Sequence, residues 1–245
     1  MTDTIAASEP IAARSMSLPA RVIGVLTSPR ATYADVAARP RWFGVLALIV
    51  VLGAIGIYSF MSTDIGKQAM LDQQVRMMES FGVKVSDVAY QKLEDGLGRA
   101  AITGALGQAI GFPIAALIVS GILIAIFNAV MGGNAVFGQV FAIVSHSAVV
   151  LALAQLFGLP LAYARETMSG ATNLGVFLPF LDDASFPARF LGSIDLFYIW
   201  WMVSLSIGLG VLYRKRTTPI AVSMLVVYAV IALVVAAART AVAGA

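Results

Sequence analysis

Polar side chains inside otherwise apolar segments are the residues of this chain whose types could do chemistry. The chain has one histidine, His146, flanked by Ser145 and Ser147 in an apolar segment. A buried imidazole can sense protons or contact a ligand, or it can simply hydrogen-bond to a neighbouring helix. No second histidine and no acidic partner lie at that depth, so the sequence favours the hydrogen-bonding role.

Asp195 is the second titratable candidate, one or two turns into the predicted fourth span. It can be a coupling-ion or proton site, or it can cap and orient the helix near the membrane surface. Its shallow predicted depth favours the capping role. The uncharged candidates are interhelical hydrogen-bonding residues, namely Gln108, Asn128, Gln139 and Gln155. One hypothesis is that such residues form a polar seam between spans two, three and four that lines a small cavity.

The sequence carries no motif of the common enzymes. It lacks H-E-x-x-H, the P-loop, G-x-S-x-G and paired intramembrane aspartates. It also lacks cysteine, which excludes disulfides, thiolate metal sites and cysteine nucleophiles. We therefore expect no enzymatic activity, no cofactor and no metal. The net charge of +3 arises from few charges and gives no indication of nucleic-acid binding.

The composition requires lipid as the solvent for most of the chain. Hydrophobic residues make up 60% of it and charged residues 12%, with a mean hydropathy of +0.90. Soluble domains are about half apolar and about a quarter charged. The sequence predicts an all-α integral membrane protein, a five-transmembrane-helix bundle. The spans are expected at about residues 42–60, 105–131, 137–159, 191–213 and 220–238.

The segments outside the spans differ in character. Residues 1–16 are expected to be a disordered tail without a signal peptide, followed by one membrane domain over 17–245. Two short amphipathic helices should precede the first span, the second from Ser28-Pro29 to Pro40, lying in the membrane interface or capping the bundle. The mixed-charge residues 61–100 predict an extramembrane helical hairpin. Residues 161–188 predict an irregular connection that dips into the interface.

Basic residues predict the orientation of the chain. Their side chains should reach lipid phosphates at the membrane interface, at Arg21, Arg30, Arg39, Arg41, Arg214, Lys215 and Arg216. Five spans put the N-terminal arginines and the basic turn at 214–216 on the same side of the membrane. The positive-inside rule then predicts a cytoplasmic N-terminus and a periplasmic or external C-terminus.

Three stretches of the chain resemble the Yip-domain family of Ypt/Rab-interacting membrane proteins. The first is RVIGVLTSPRATY at 21–33, with Arg41-Trp42-Phe43 at the first span. The second is GGNAVFGQVF at 132–141, and the third is LGSIDLFYIW at 191–200. The shared pattern is an amphipathic lead, Ser-Pro, an aromatic residue and a tryptophan that enters the membrane. The resemblance covers roughly residues 20–240.

The resemblance implies five spans, a cytoplasmic N-terminus and an external C-terminus. Eukaryotic members are associated with small GTPases, vesicle traffic and membrane shaping, without enzymatic activity of their own. The Ala- and Arg-rich composition resembles a bacterial member, which implies an inner-membrane location. The expected role is a scaffold, adaptor or membrane organiser that contacts lipids and an unidentified membrane or cytoplasmic protein, with a homo-oligomer as an open alternative. The competing function is a small transporter or lipid-handling protein that uses the seam around His146 and Asp195.

Overall fold

The computed structural model of the chain describes residues 15–168, 170, 172–182 and 185–243. Most of the predicted disordered tail, residues 1–14, lies outside the described residues. The described residues are helical with short connections and contain no β-strand, and an isolated antiparallel bridge joins Asn173 to Asp195. The prediction of an all-helical protein is therefore confirmed.

The described residues form eleven α-helices with three short helical segments of other types. The α-helices are α1 Leu18–Thr27, α2 Pro29–Ala38, α3 Phe43–Met61, α4 Asp64–Ser80, α5 Asp87–Gly96, α6 Ala100–Ile124, α7 Phe137–Ser147, α8 Val149–Ala164, α9 Phe186–Gly192, α10 Leu196–Leu212 and α11 Thr217–Ala243. The other segments are the 3₁₀ turns Leu97–Arg99 and Leu174–Phe177 and the π-helical turn Ala125–Val130. The first turns of α1 and α2 each contain a proline, whose fixed φ suits a helix start.

Four helical stretches among the described residues are long and apolar enough to cross a membrane. They are Phe43–Met61, Asp87–Val130, Phe137–Ala164 and Thr217–Val242. The remaining predicted span is α10, which has 17 residues. At 1.5 Å per residue it is about 26 Å long, slightly less than the roughly 30 Å hydrocarbon core. It is shorter than predicted because the chain breaks between α9 and α10 instead of entering one helix at residue 191.

The third long stretch ends later than predicted. The sequence placed its end near 159 because a proline follows, yet α8 continues to Ala164 with Pro160 inside it. Proline removes one backbone hydrogen bond, and membrane helices accept this loss where the freed carbonyl finds other partners. The helix is interrupted instead at Ala148, between α7 and α8.

The predicted hairpin is present as two helices, but only one of them packs on the bundle. Helix α4 buries Gly66, Ala69 and Leu71 and is capped by Thr63, whose hydroxyl accepts from the Gly66 N–H at 3.0 Å. Helix α5 has no buried residue. It continues through the 3₁₀ turn into α6, so the second arm of the hairpin is an extension of the second span.

The main hydrophobic core lies between α2, α3, α7 and α10. Tyr33, Ile49, Ile143, Leu205 and Leu209 are among its fully buried side chains. Helix α7 is enclosed from residue 140 onward, whereas α6 and α11 expose rows of Ile, Leu and Val on their outer faces. Such rows are expected of helices that face lipid. Helix α2, although short and only weakly apolar, is part of the core.

The helices bring the loops together at two ends of the molecule. We call residues 29–42, 131–136 and 213–216 the basic end, and residues 62–99, 165–195 and 239–243 the far end. At the basic end the Trp42 ring lies 5.0 Å from that of Phe141. At the far end Phe81 lies under the guanidinium of Arg239, 5.5 Å from its ring centroid. Helix α10 runs from the far end, at Asp195, to the basic end.

Candidate functional site

A buried ion pair joins α1 to α2. The Arg21 guanidinium contacts Asp35 Oδ2 through Nε at 2.8 Å and Nη2 at 2.7 Å, and Arg21 is only 2% exposed. Arg21 Nη2 also donates to the Arg39 carbonyl at 3.1 Å, and Arg39 Nη1 lies 3.3 Å from Asp35 Oδ1. The prediction that Arg21 reaches lipid phosphate is wrong, because its guanidinium is enclosed by protein and already neutralised by Asp35.

A hydrogen bond between Tyr33 and Ser204 joins α2 to α10. The two hydroxyl oxygens lie 2.7 Å apart and are buried. Burial raises the pKa of the Tyr33 phenol, so its hydroxyl keeps its proton. Gly208 permits the close approach of the two helices, because a Cβ there would lie 3.0 Å from Tyr33 Cδ1 and 2.5 Å from Ile143 Cγ2. Helix α2 is therefore held to α1 by the ion pair and to α10 by the contact between the two hydroxyl groups.

His146 lies in the middle of the core on α7 and is fully buried. Its Nδ1 is 2.7 Å from the Ala142 carbonyl, which can only accept, so Nδ1 carries the proton and Nε2 is an acceptor. Nε2 has no hydrogen-bond partner among the described residues. The neighbouring Ser147 accepts from Trp201 Nε1 at 3.0 Å. The arrangement links α7 to α10, and the charged groups that act on the imidazole are Arg21 and Asp35 of the buried ion pair.

Asp195 caps α10 at the far end. Its Oδ1 accepts from the N–H groups of Phe197 at 2.7 Å and Tyr198 at 3.3 Å, and Oδ2 accepts from the Thr172 hydroxyl. The Asp195 N–H donates to the Tyr228 hydroxyl at 3.0 Å. The residue lies before the helix, not one or two turns inside it as predicted. Its contacts are those of a capping residue that ties the connection after α8 to α10 and α11.

Asn128 and Gln139 fasten the loops of the basic end. Asn128 Nδ2 donates to the Ala135 carbonyl at 2.8 Å, and its Oδ1 accepts from the Tyr213 hydroxyl at 2.9 Å. Gln139 Nε2 donates to the Ala37 carbonyl at 3.1 Å. These amides satisfy backbone groups and join the turn after α6 to α2 and to the end of α10.

Gln108 and Gln155 meet beside Gly53 of α3. A Cβ on that glycine would lie 2.7 Å from Gln108 Nε2 and 2.9 Å from Gln155 Oε1, and Gln155 Nε2 is 3.5 Å from the Gly53 carbonyl. Apart from this pair, the six polar candidates have different partners, and no hydrogen bond joins His146 to another of them. The structure distributes these residues over separate helix contacts and does not bring them together as one seam.

Five of the predicted membrane-interface residues are exposed at the basic end. Arg30, Arg41, Arg214, Lys215 and Arg216 are all exposed, and the backbone of Arg214 has a φ of 52° in the tight turn before α11. The acid within the described residues of this end is Asp35, which is held in the ion pair. The surface of the basic end is therefore cationic. The helices beneath it, α1 and α2, are held in place by the ion pair.

The sequence interpretation missed Asp35, which neutralises Arg21. A signal was present, because Asp35 is the only acidic residue between Glu9 and Asp64, in a stretch that contains five arginines. A single carboxylate among several arginines, in a segment with buried apolar positions, predicts that one arginine forms an internal ion pair with it. The alternative, in which all five arginines contact lipid, is then less favoured. The contact between the hydroxyl groups of Tyr33 and Ser204, which are 171 residues apart in the chain, has no local signature in the sequence.

A comparison with protein families gives one match that covers nearly the whole chain. The Yip1 domain profile matches residues 23–238, from within α1 to within α11. No curated protein and no solved structure matches the chain. The profile match agrees with the resemblance seen in the sequence and with the long apolar helices. We conclude that the chain is a membrane protein of the Yip1 domain family.

Proposed function

We propose that this protein is a non-enzymatic adaptor or membrane organiser of a bacterial inner membrane, whose basic end recruits a protein partner. The proposal rests on one observation, namely that the basic end combines firmly held helices with exposed cationic side chains. The Arg21–Asp35 pair and Tyr33 fix α1 and α2 to the bundle, while five cationic side chains remain exposed beside them. A rigid cationic surface next to the membrane suits acidic protein segments and anionic headgroups.

The competing function, a transporter or lipid-handling protein built on His146 and Asp195, has less support. Its seam requires polar residues that face one another across a shared space. Here Asp195 is a helix cap at the far end, and His146 bonds within its own helix. We therefore expect His146→Ala and Asp195→Asn to change the stability of the protein. A transporter built on these residues would instead lose transport of its substrate in both variants.

We also propose that α10 crosses the membrane as a fifth span, with the N-terminus in the cytoplasm. The support for this count is that α10 starts beside Thr172 at the far end and ends beside Asn128 at the basic end. A helix that connects the same two ends as the four longer apolar helices is expected to traverse the same layer. The turn at 214–216 has three basic residues and no acid, which favours the cytoplasmic side for the basic end.

Single cysteines test this topology, because the chain has none of its own. We expect a membrane-impermeant maleimide to label Lys92→Cys in intact cells, and to label Arg30→Cys and Lys215→Cys only after permeabilisation. The cysteine-free chain is the control for background labelling. Labelling of Lys215→Cys together with Lys92→Cys would show that α10 does not cross. Labelling of Arg30→Cys in intact cells would reverse the orientation.

Affinity capture with paired charge variants tests the adaptor function. We expect a stoichiometric protein partner of the wild-type chain in mild detergent, and a yield reduced several-fold by Arg30→Gln with Lys215→Gln. The matched control is Lys84→Gln with Lys92→Gln, which removes the same charge from exposed positions at the far end. Equal loss in both pairs, or a chain that purifies with one tightly bound small molecule and no protein, would contradict the proposal.

A further inference from the structure

The far end contains a large cavity that none of the predicted site residues lines. Its volume is about 1080 Å³, and its walls come from α4, the connection after α8, α9 and the last turns of α11. A volume of this size accommodates a ligand as large as a lipid headgroup with part of its acyl chains. The cavity is thus a candidate binding site at the end of the molecule opposite to the basic end.

Four arginines line this cavity together with a single glutamate, Glu79. They are Arg76, Arg165, Arg189 and Arg239. None of the four has a salt bridge to a described residue, and the described ion pairs lie elsewhere. Four guanidinium groups and one carboxylate among the described lining residues give the cavity an excess of positive charge, which a bound anion neutralises. The charge of the lining therefore selects for an anionic ligand.

The protein contacts three of these arginines through uncharged groups. Arg189 Nη1 donates to the backbone carbonyl of Arg239, and the Arg239 guanidinium lies over the Phe81 ring. Arg239 Nε is buried and has no hydrogen-bond partner among the described residues. Arg76 Nη2 lies 3.4 Å from the Thr167 hydroxyl. Contacts of this kind orient the guanidinium groups while leaving their charge for a ligand.

The lining also contains apolar side chains, beside the uncharged polar residues Gln73, Ser80, Thr167 and Asn173. A lining of mixed character suits an amphiphile better than a simple anion. The apolar side chains of the lining are Met77, Met168, Val176, Leu178, Pro179 and Leu181. Phe177 and Phe180 on the same connection are 63% and 78% exposed. Exposed phenylalanines on a loop of a membrane protein favour insertion into the interface of the bilayer. The same connection supplies one wall of the cavity, so insertion of its phenylalanines would bring the cavity close to the lipid headgroups.

We propose that this cavity binds the phosphate group of an anionic phospholipid, with the four arginines on the phosphate and the apolar residues against the acyl chains. Arginine suits this role because its planar fork donates two parallel hydrogen bonds to phosphate oxygens. The site is independent of the proposed adaptor function, since it lies at the far end and uses none of the exposed cations of the basic end.

Native mass spectrometry of the purified full chain in detergent tests the site. The probes are phosphatidylglycerol and phosphatidylcholine, titrated separately, and inorganic phosphate, titrated alone and against bound phosphatidylglycerol. We expect phosphatidylglycerol to bind in a one-to-one complex, phosphatidylcholine to bind at least several-fold more weakly, and inorganic phosphate to compete only at much higher concentration. Arg76→Gln with Arg165→Gln should weaken phosphatidylglycerol binding by about tenfold or more, as expected for lost charged hydrogen bonds.

The control pair, Lys84→Gln with Lys92→Gln, removes the same charge outside the cavity and should leave binding unchanged. Circular dichroism confirms that both double variants are folded. Equal weakening in the two pairs would assign the binding to overall charge and overturn the proposal. Equal binding of the two lipids would remove the role of the arginines. Inorganic phosphate that binds as tightly as phosphatidylglycerol would show a phosphate site without a lipid.

Discussion

Asp35→Ala is expected to lower the free energy of unfolding by about 3–5 kcal/mol, the range for removing one partner of a buried ion pair. The reason is that Arg21 is 2% exposed and has Asp35 as its neutralising partner. Without the carboxylate, the guanidinium either stays buried with an uncompensated charge or pulls α1 away from α2. Either outcome loosens the N-terminal helices, so partner capture at the basic end should fall as well.

Titration with sodium dodecyl sulfate in mixed micelles measures this change. The matched control is Asp64→Ala, which removes the carboxylate of the Lys67–Asp64 pair, where the Asp64 side chain is fully exposed. An exposed pair contributes little, so the control should be close to wild type. The double variant Arg21→Met with Asp35→Leu should recover much of the loss, because apolar residues of similar volume replace buried pairs well. A loss in Asp35→Ala no larger than in Asp64→Ala would show that the pair is not buried in solution.

Gly208→Leu is expected to destabilise the protein by about 3 kcal/mol, at the upper end of the range for overpacked cores. The first carbon of the new side chain would lie 2.5 Å from Ile143 Cγ2 and 3.0 Å from Tyr33 Cδ1. Atoms of real proteins do not approach so closely, and the neighbours belong to two different helices. Helix α10 would have to move away from α7 and α2, which would break the hydrogen bond between Tyr33 and Ser204.

Gly107→Leu is the control for the substitution itself. Gly107 lies on α6, and a Cβ there would meet no atom within 4 Å. Leucine forms helices better than glycine by roughly 0.5–1 kcal/mol, so this variant should be as stable as wild type or more so. The same detergent titration measures both variants. Similar stability of the two would mean that the contact between α10 and its neighbours is looser than the structure shows.

The local elements could be predicted from the sequence because their signals are local. Ser28-Pro29 marks the start of α2 and Pro40 follows its end. The apolar runs give α3, α6, the combined stretch of α7 and α8, and α11 to within several residues at each end. The errors have physical causes. Pro160 does not end α8, because a membrane helix tolerates one missing hydrogen bond. Asp195 lies outside α10, because a carboxylate is more stable as a cap on free N–H groups than inside an apolar helix.

The candidate site could be predicted only in part, because partners distant in sequence decide the role of each polar residue. Gln139 was identified as an interhelical donor, but its acceptor, the Ala37 carbonyl, is 102 residues away. Whether Arg21 contacts lipid phosphate or forms an ion pair depends on the orientation of α2, which places Asp35 beside it. The cavity of the far end combines residues from α4, α9 and α11, so no stretch of sequence carries its pattern. The sequence pattern shows where apolar and charged residues lie along each helix. It does not show which of these residues come into contact in the folded protein.

The continuity of α5 with α6 has a mechanical consequence. The helical stretch Asp87–Val130 contains 44 residues, which at 1.5 Å per residue gives about 66 Å, roughly twice the thickness of the hydrocarbon core. Helix α5 buries no residue, and its lateral support comes from its contact with α4. The helix is continuous through the 3₁₀ turn Leu97–Arg99, so a force on α5 would be transmitted along the backbone to the apolar α6. The molecule thus has a rigid arm by which events outside the bilayer can tilt a helix within it.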